Sequence, residues 1–480
     1  MSNHSRTLAW VKHSAGLDGA VAFTLMARII NIASSVGTVL LIVHFMSPIE
    51  QGYYYTLLGL AGLQIVFELG FSFVILQLAA HEAAQLTIHH DGRIEGDSHA
   101  HARLASVLQL TVRWYLRAAV ALAAFLLPLG ILFFSRRGES VQVDWFGPWV
   151  VASLAISISF LTTPLYSFLE GCNNVREVAK VRMYQGIATL TMSWTAVASG
   201  HGLYAPALVN IGVIGVGAVF LFSRRNLLVS LLRYPPGADR VPWRAEVWPF
   251  QCKIAVTWMC SYFTLQVFAP ILFAFRGPRD AGKMGLSLSI TGYIPIVALS
   301  WVATKAAPFG QLVKRGHLRE LNRLFFRTLK QSFCLTLLMA AGCFAAVLAI
   351  QRVSPRIAQR MESPQVFVLL LLAAVASFVV QALAVYLRSF KREPYMVQST
   401  VVALLTLGGV TLAAQRWGNW AVAVAYSLFS GVLAVVWALL IFSNQWRRQK
   451  ETLSDSEIAL SIGVTEMTTP DAAIWHRGAK

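Results

Sequence analysis

Long apolar runs dominate this chain and decide what it can fold into. Twelve runs each reach about the 20 residues that a helix needs to cross a bilayer. Apolar residues make up 56% of the sequence and charged residues only 13%, which is too little charge to cover the surface of a water-soluble protein of this size. The runs lack the alternation of apolar and polar residues that is typical of transmembrane β-strands. The sequence therefore predicts an all-α polytopic membrane protein.

The predicted spans divide into two sets of six on either side of the longest basic linker, 224–253. We expect a six-helix bundle over 20–223 and a second over 254–443, packed around a central cavity. Residues 1–19 are predicted to form a cytoplasmic N-terminus, and 444–480 a flexible cytoplasmic tail. The predicted spans are 20–46, 52–79, 113–134, 148–170, 180–200, 203–223, 254–275, 283–306, 331–351, 365–389, 396–414 and 418–443.

Basic residues are distributed unevenly between the two sides of this predicted topology. The chain carries 40 Lys and Arg against 22 Asp and Glu, a net charge of +18. Most of the basic residues fall in the N-terminus, in every second loop after it and in the C-terminal tail. The positive-inside rule places these segments, and therefore both termini, in the cytoplasm. The positive charge therefore does not require a nucleic-acid partner.

The connection 309–330 has the pattern of an amphipathic helix. Leu318, Leu321 and Leu324 alternate at helical spacing with Arg319 and Arg323. We expect this segment to lie along the cytoplasmic leaflet rather than to cross the membrane.

Polar residues recur at helical spacing inside several apolar runs, where they are costly and therefore informative. Such faces cannot point at lipid, so they line a helix seam or a water-filled cavity. For Ser and Thr the alternative is a hydrogen bond to a helix carbonyl, and Lys253 and Arg388 lie close enough to the predicted boundary to reach the interface. The candidate substrate-binding residues are Arg28, Asn31 and Ser35 in the first span, Glu68 in the second, Lys253, Thr257 and Ser261 in the seventh, Lys305 after the eighth, and Gln381 and Arg388 in the tenth.

The sequence carries no motif for metal, cofactor or catalytic chemistry. The five cysteines form no CxxC pair, and no nucleotide-binding sequence occurs. His89, His90, His99 and His101 lie among Asp, Gly and Ser, which indicates a solvated loop rather than a metal site. The predicted external loops 135–147 and 352–364 are too short for a catalytic domain. We expect no cofactor, no bound metal and no enzymatic activity.

The order of several short motifs resembles the polysaccharide and O-antigen flippases, the Wzx-like branch of the multidrug/oligosaccharidyl-lipid/polysaccharide (MOP) exporter superfamily. The resemblance covers roughly residues 20–443. It rests on a polar first span bearing Arg28, Ser47-Pro-Ile-Glu50-Gln-Gly52-Tyr53-Tyr54, Glu68-Leu-Gly-Phe71, Leu169-Glu-Gly171, Trp248-Pro-Phe-Gln251, Gly277-Pro278, Ala281-Gly-Lys-Met-Gly285 and Lys391-Arg-Glu-Pro394.

This resemblance implies a MATE-like fold and a multi-pass location in a bacterial inner membrane. It further implies that the chain flips an undecaprenyl-pyrophosphate-linked oligosaccharide by alternating access, for lipopolysaccharide, capsule or exopolysaccharide synthesis. Arg28 would anchor the pyrophosphate deep in the membrane, with Lys253 and Lys305 nearer the cytoplasmic side. The partners implied are the lipid-linked oligosaccharide, membrane lipids, and a polysaccharide polymerase with its chain-length partner.

Two other functions remain open on the sequence. One is ion-coupled export of small amphiphiles, as in the MATE branch, although that branch often carries an acidic residue in its first helix where this chain has Arg28. The other, from a different class, is a membrane-embedded polysaccharide polymerase or ligase, which would need a larger external loop. Lipid II flippases of the superfamily usually have fourteen helices, and the twelve predicted here argue against that activity.

Overall fold

The computed structural model describes Met26, Ile30 and residues 37–89, 92–137, 143–235, 237, 239–242, 247–390 and 395–461. Almost all of these residues are helical, because a backbone surrounded by lipid must satisfy its N–H and C=O groups within its own segment. The first half contains a two-stranded antiparallel hairpin, β1 and β2, that extends the loop after the second span. Its elements are α1 (37–45), α2 (Pro48–Ala61), α3 (Gln64–Glu68), α4 (Phe71–Ala83), β1 (Leu86–Ile88), β2 (Ile94–Gly96), α5 (Ser98–Arg137), α6 (Phe146–Phe160), α7 (Thr163–Gly171), α8 (Val175–Ala198), a 3₁₀ turn (Gly202–Tyr204), α9 (Ala205–Ser223) and α10 (Arg225–Arg233).

The described residues of the second half form helices joined by short connections. Its longest helix has 36 residues, about 54 Å at 1.5 Å per residue, which exceeds the thickness of a bilayer core. The elements are α11 (Trp248–Leu265), α12 (Phe268–Arg276), α13 (Pro278–Ala303), α14 (Ala306–Lys314), α15 (Leu318–Val353), α16 (Pro355–Ala358), α17 (Pro364–Arg388), α18 (Met396–Arg416), α19 (Asn419–Tyr426), a π-helical segment (Ser427–Leu433) and α20 (Ala434–Ser461).

Ten of the twelve predicted spans are confirmed within the described residues as helices long and apolar enough to cross a membrane. The predicted first span, 20–46, lies mostly outside the described residues. The predicted fifth span coincides with α8, a helix of 24 residues that does not reach the apolarity of the other ten. The all-α polytopic fold predicted from the sequence is therefore confirmed.

Three predicted boundaries are corrected by the structure. Residues 309–330 do not form one surface helix: they are divided between α14 and the start of α15, which continues without a break into a span. Helix α20 extends to Ser461, so the first part of the predicted flexible tail is helical, and 462–480 lie outside the described residues. The linker 224–253 contains α10 and the first turns of α11 rather than only a connection.

The two halves are joined along α2, which packs closely against α13 and α12. A Cβ built on Gly52 would lie 1.9 Å from the carbonyl oxygen of Pro278, and one on Gly285 would lie 2.5 Å from the ring of Tyr55. These helices approach so closely because glycine leaves room for the neighbouring backbone. Phe273 of α12 adds to the seam, because its ring centroid lies 4.8 Å from that of Tyr53. We name this end of the molecule the Pro48 end, and the opposite end, where α4 and α17 terminate, the Arg388 end.

Substitution of Gly52 tests whether this seam holds the halves together. Gly52→Ala places a methyl group inside van der Waals distance of the Pro278 backbone, so α2 and α13 must separate. We expect a loss of about 1–3 kcal/mol in the free energy of unfolding, the usual range for overpacking, measured as a lower Tm in detergent. Gly292→Ala in α13 is the matched control, because its Cβ meets nothing within 4 Å. Equal melting temperatures for the two variants would contradict the role of the seam.

Candidate functional site

The second span is broken where Glu68 lies. Helix α3 ends at Glu68, and the next two residues adopt left-handed backbone angles, with φ of 52° at Leu69 and 68° at Gly70, before α4 begins. Gly70 takes this conformation without steric cost, whereas Leu69 does not. Gln64, Glu68 and Ser72 recur every four residues in the sequence, but because of the break this polar stripe is not a face of one continuous helix. The break leaves backbone carbonyls without helical partners in the middle of the span.

Glu68 lies beside two polar side chains, those of Ser72 and Tyr115. Its carboxylate shares a hydrogen bond with Ser72, one turn further along the span. The hydroxyl of Ser72 is in turn 3.1 Å from the hydroxyl of Tyr115 in α5. Among the described residues no cationic side chain lies within 4 Å of Glu68. Its local partners are therefore hydroxyl groups.

The seventh span, which opens the second half, is broken in the same region. Helix α11 ends at Leu265 and α12 begins at Phe268, with Gln266 between them. The side-chain oxygen of Gln266 occupies the space beside Gly62, since a Cβ on Gly62 would lie 1.9 Å from it. The break of the seventh span therefore meets the start of the break in the second.

Two hydrogen bonds from α11 reach the backbone of the second span across the boundary between the halves. Tyr262 donates its hydroxyl hydrogen to the carbonyl of Gly59 at 3.1 Å. Gln251 donates from Nε2 to the carbonyl of Leu69 at 2.6 Å, satisfying a group that the break exposes. We call the set Glu68, Ser72, Tyr115, Gln251, Tyr262 and Gln266 the polar junction. Broken helices that meet between two repeats at mid-membrane depth are typical of substrate and ion sites in transporters.

The structure describes some of the predicted site residues and not others. Arg28, Asn31 and Ser35 lie outside the described residues. The main chain of Lys253, Thr257 and Ser261 belongs to α11, where the three positions share one helix face by their spacing of four. That face is not the one that carries Gln251 and Tyr262.

Lys305, Gln381 and Arg388 lie toward the Arg388 end. Lys305 is half-buried at the corner between α13 and α14, and Arg388 is the exposed last residue of α17. Gln381 is exposed and donates to the hydroxyl of Ser377 at 2.9 Å. Glu68 is fifteen residues from the end of α4, about 20 Å of helix rise, so the structure does not bring it together with Arg388. The predicted site is therefore spread along the depth of the molecule.

Several residues at the contact between the halves were not predicted as site residues. Gln251 stands in the Trp-Pro-Phe-Gln motif, and Gln51 in the Glu-Gln-Gly motif, but their hydrogen-bond partners are carbonyls of distant segments. Tyr115 follows Trp114 in a pattern typical of a membrane interface, whereas the structure buries its ring. The signal in the sequence is a Gln or Tyr within an apolar run, and this signal does not identify the hydrogen-bond partner.

A ten-residue segment, 354–363, connects α15 to α17 at the Pro48 end, and we call it the strap. Gln51 of α2 is 1% exposed and donates from Nε2 to the carbonyls of Gly282 at 2.9 Å and of Arg360 at 3.1 Å. The guanidinium of Arg360 donates to the carbonyl of Met46. The strap therefore belongs to the second half by sequence and is bonded to the first.

Glu362 fastens the other side of the strap to the second half. Its carboxylate accepts a hydrogen bond from Asn419 at 2.5 Å, and its backbone N–H donates to Ser287 at 3.1 Å. Burial, with only 6% of the residue exposed, raises the pKa of this carboxyl from 4.5 to about 7. Asp280 raises the pKa further, while the hydrogen bond from Asn419 and the charge of Lys283 act in the opposite direction. The strap therefore holds a group that titrates near neutral pH.

The histidine-rich segment forms the loop of the hairpin and the start of α5. His89 lies 3.4 Å from Glu95, and His99 lies 3.0 Å from Asp239. His90 lies outside the described residues, within which no three His, Cys, Asp or Glu side chains form a metal-binding group. A cavity of about 810 Å³ lies beside this hairpin, lined in part by Glu170 and Asn226, and does not include the polar junction.

The pH dependence of the strap follows from the raised pKa of Glu362. A buried acid with a raised pKa stabilises the fold fully below its ordinary value of 4.5, and that contribution is lost as the pH rises through about 7. We expect amide hydrogen exchange across 354–363 to become faster between about pH 5 and pH 8, after correction for intrinsic exchange. Glu362→Gln keeps the acceptor for Asn419 and should remove this dependence. The exposed carboxylate variant Glu95→Gln should keep it. The same pH profile in Glu362→Gln would exclude Glu362 as its source.

No protein family and no curated protein matches the sequence. Solved structures do match its fold. The lipid II flippase MurJ, in an inward closed conformation, aligns with a TM-score of 0.56 at 13% identity, covering 94% of each chain. A MATE multidrug transporter in complex with R6G aligns at 0.53 and 13% identity, covering 87% of this chain and 94% of that one. An outward-facing multidrug resistance MATE family transporter of the MOP superfamily aligns at 0.50 and 14% identity, covering 91% and 98%. The chain therefore has the MATE-like fold of the MOP superfamily transporters, as the sequence predicts.

Proposed function

We propose that this chain is a membrane transporter that flips an undecaprenyl-pyrophosphate-linked oligosaccharide across a bacterial inner membrane by alternating access. The substrate would be a repeat unit of O antigen, capsule or exopolysaccharide. The observation that carries the proposal is the polar junction, where broken spans from the two halves meet and side chains of the seventh span satisfy backbone carbonyls of the second. Polar groups at such a depth are costly, and a carrier for a charged, hydroxyl-rich head group requires them.

The packing between the halves supports alternating access. The glycine contacts and the Phe273 ring join the halves at the Pro48 end, and the strap crosses there as well. Toward the Arg388 end, the packing across the halves among the described helices is limited, and α4 makes it with α11. This arrangement corresponds to a carrier open toward the Arg388 end. Rocking of one half against the other would exchange the closed and open ends.

A lipid-linked anion is the substrate class that the basic residues favour. Lys305 and Arg388 lie toward the open end, where a pyrophosphate would enter, and Lys253 begins the predicted polar face of α11. Arg28 would then hold the pyrophosphate deeper, since a guanidinium binds phosphate oxygens in a bidentate manner. Asn31, Ser35, Thr257, Ser261 and Gln381 would contact sugar hydroxyls, and the isoprenoid chain would remain in lipid between helices. The fold likeness to a lipid II flippase supports a lipid-linked substrate.

An ion-coupled exporter of small amphiphiles is the second candidate, and Glu68 is the observation that favours it. Its carboxylate lies at the junction with hydroxyl partners, so it is available to bind a proton or a cationic substrate. Likeness to MATE transporters of similar size supports this alternative as well. For a polymerase or ligase the support is weaker, because the described connections at the Pro48 end, 199–201, 354–363 and 417–418, are short.

Transport by Arg28 and Glu68 variants separates these candidates. Arg28→Ala should lower flipping of the lipid-linked oligosaccharide in proteoliposomes about 10- to 100-fold, since a charge-assisted hydrogen bond contributes about 1.5–3 kcal/mol. Arg28→Lys should retain part of the activity, because the charge survives without the bidentate geometry. Arg117→Ala is the matched control, since Arg117 lies within a span but is exposed.

The same proteoliposomes should be tested with a cationic dye under a proton gradient. If the protein is a flippase, we expect no export of the dye under the gradient. We also expect Glu68→Gln to lower the rate of flipping less than Arg28→Ala does. Two results together would replace the flippase proposal by the exporter. The proteoliposomes would export the dye and lose that export in Glu68→Gln, and flipping of the oligosaccharide would be either full in every variant or absent in every variant. Loss of flipping in both single variants and its return in the double variant Arg28→Ala with Glu68→Ala would assign the two residues to a structural ion pair instead.

The proposed orientation is tested by cysteine labelling in intact cells. Arg356 in the strap and Arg315 between α14 and α15 are exposed at opposite ends. A membrane-impermeant maleimide should label Arg356→Cys and not Arg315→Cys, since the positive-inside rule places the Arg388 end in the cytoplasm. The parent protein, with its five native cysteines, gives the background. Labelling of Arg315→Cys alone would invert the topology.

A further inference from the structure

A cavity of about 420 Å³ lies at the Pro48 end, where the two halves and the strap meet. Pro48 and Gln51 of α2 form its wall from the first half. Arg279 and Lys283 of α13 and the strap residues Gln359 and Arg360 form the rest. We call it the three-cation cavity. Its walls therefore come from all three segments that are joined at this end.

The lining of the three-cation cavity is positive. Among the described residues, it contains Arg279, Lys283 and Arg360 and no carboxylate. Within the described residues none of these cations lies within 4 Å of an Asp or Glu oxygen. Burial lowers the pKa of Arg360 below its ordinary value, while the charge of Glu50 acts in the opposite direction. Like charges gathered at one site repel each other, and a bound anion relieves that repulsion.

The nearby carboxylates are engaged elsewhere. Glu50 acts on Arg360 at longer range, but its carboxylate accepts from the backbone N–H of Ser47 at 2.7 Å in the capping box of α2. Glu362 accepts from Asn419 and is partly protonated near neutral pH. Asp280 precedes the cavity residue Lys283 by one turn on α13 without lining the cavity. They lower the positive potential of the cavity without occupying it.

The chemistry of the donors fits a phosphate group. Two guanidinium groups and an ammonium group can donate to several oxygens at once, and guanidinium is the side chain that matches phosphate in a bidentate manner. Arg279 also lies in the first turn of α13, a 26-residue helix whose N-terminus carries partial positive charge and has no side-chain cap. The N-terminal residues of α2 and α13 both border the cavity, so it lies at the level where their spans begin.

We propose that the three-cation cavity binds a phosphate group, either of an anionic phospholipid head group or of free inorganic phosphate, and that the bound anion holds the Pro48 end closed. The anion contacts α13 and the strap and lies against α2, so its binding favours the state in which these segments are together. This site does not depend on what the protein transports. It lies apart from the polar junction and uses none of its residues.

The test measures binding and stability of the full-length protein, not transport. Arg279→Gln with Lys283→Gln removes two cations from the cavity and leaves Arg360, which bonds to Met46, in place. The matched control is Arg352→Gln with Arg356→Gln, which removes two exposed cations at the same end that do not line the cavity. Both double variants change the net charge equally, so a general electrostatic effect acts on both.

Two arms separate the sources of phosphate. In detergent, sodium phosphate is titrated against sodium chloride of matched ionic strength, and the Tm and the binding of radiolabelled phosphate are followed. In nanodiscs, the Tm in phosphatidylcholine is compared with that in phosphatidylcholine containing phosphatidylglycerol, and retained lipid is identified by native mass spectrometry.

We expect a rise in Tm with at least one source for the parent and the control variant, and a loss of affinity of about tenfold or more for the cavity variant. A rise in the detergent arm identifies free phosphate, and a rise confined to the nanodisc arm identifies the lipid head group. The same response in both double variants, or no response of the parent in either arm, overturns the proposal. A cavity variant that melts like the parent without added phosphate shows that its fold is intact.

Discussion

The requirement that every backbone polar group in lipid find a partner within the protein governs this structure. It makes almost every described residue helical, and it makes any break in a helix costly. The breaks at Leu69 and Gln266 occur where the two halves meet, so that a segment of one half is at hand to satisfy a group freed in the other. The bond from Gln251 to the carbonyl of Leu69 is such a repair. The most costly irregularities are therefore also the points at which the halves recognise each other.

The two ends of the molecule differ in how closely the helices of the two halves pack. At the Pro48 end, Gly52, Gly59 and Gly285 let α2 approach the backbone and rings of α12 and α13, and a strap crosses over the contact. At the Arg388 end the described helices carry long basic side chains, which repel one another and remain hydrated. The closer packing of the helices at the Pro48 end, where basic side chains also surround a cavity, fits the proposed opening toward the Arg388 end, which alternating access would reverse.

Charge is used differently at three depths. Exposed Arg388 and half-buried Lys305 lie toward the Arg388 end, Glu68 lies with hydroxyl partners at the polar junction, and three cations surround a cavity at the Pro48 end. Glu362 adds a carboxyl whose burial brings its pKa to about 7, in the segment that joins the halves. A phosphate-bearing substrate is proposed for the Arg388 end and a phosphate site for the Pro48 end. Basic side chains would thus recognise phosphate in two separate places.

The sequence by itself determined the class of the protein, ten of the described spans and the free-energy cost of placing Glu68 within a span. It could do so because hydropathy and charge are properties of single residues summed along the chain. Its motif order also pointed to the fold that the structural likeness confirms. Only the tertiary structure decided that the stripe through Glu68 is interrupted at Leu69, that α15 begins at Leu318 without a separate surface helix, and that Gln51 and Gln251 join the two halves. Their partners are carbonyls up to about 300 residues away. A backbone carbonyl has the same chemistry at every position, so nothing in the local sequence can indicate which one a buried amide will reach.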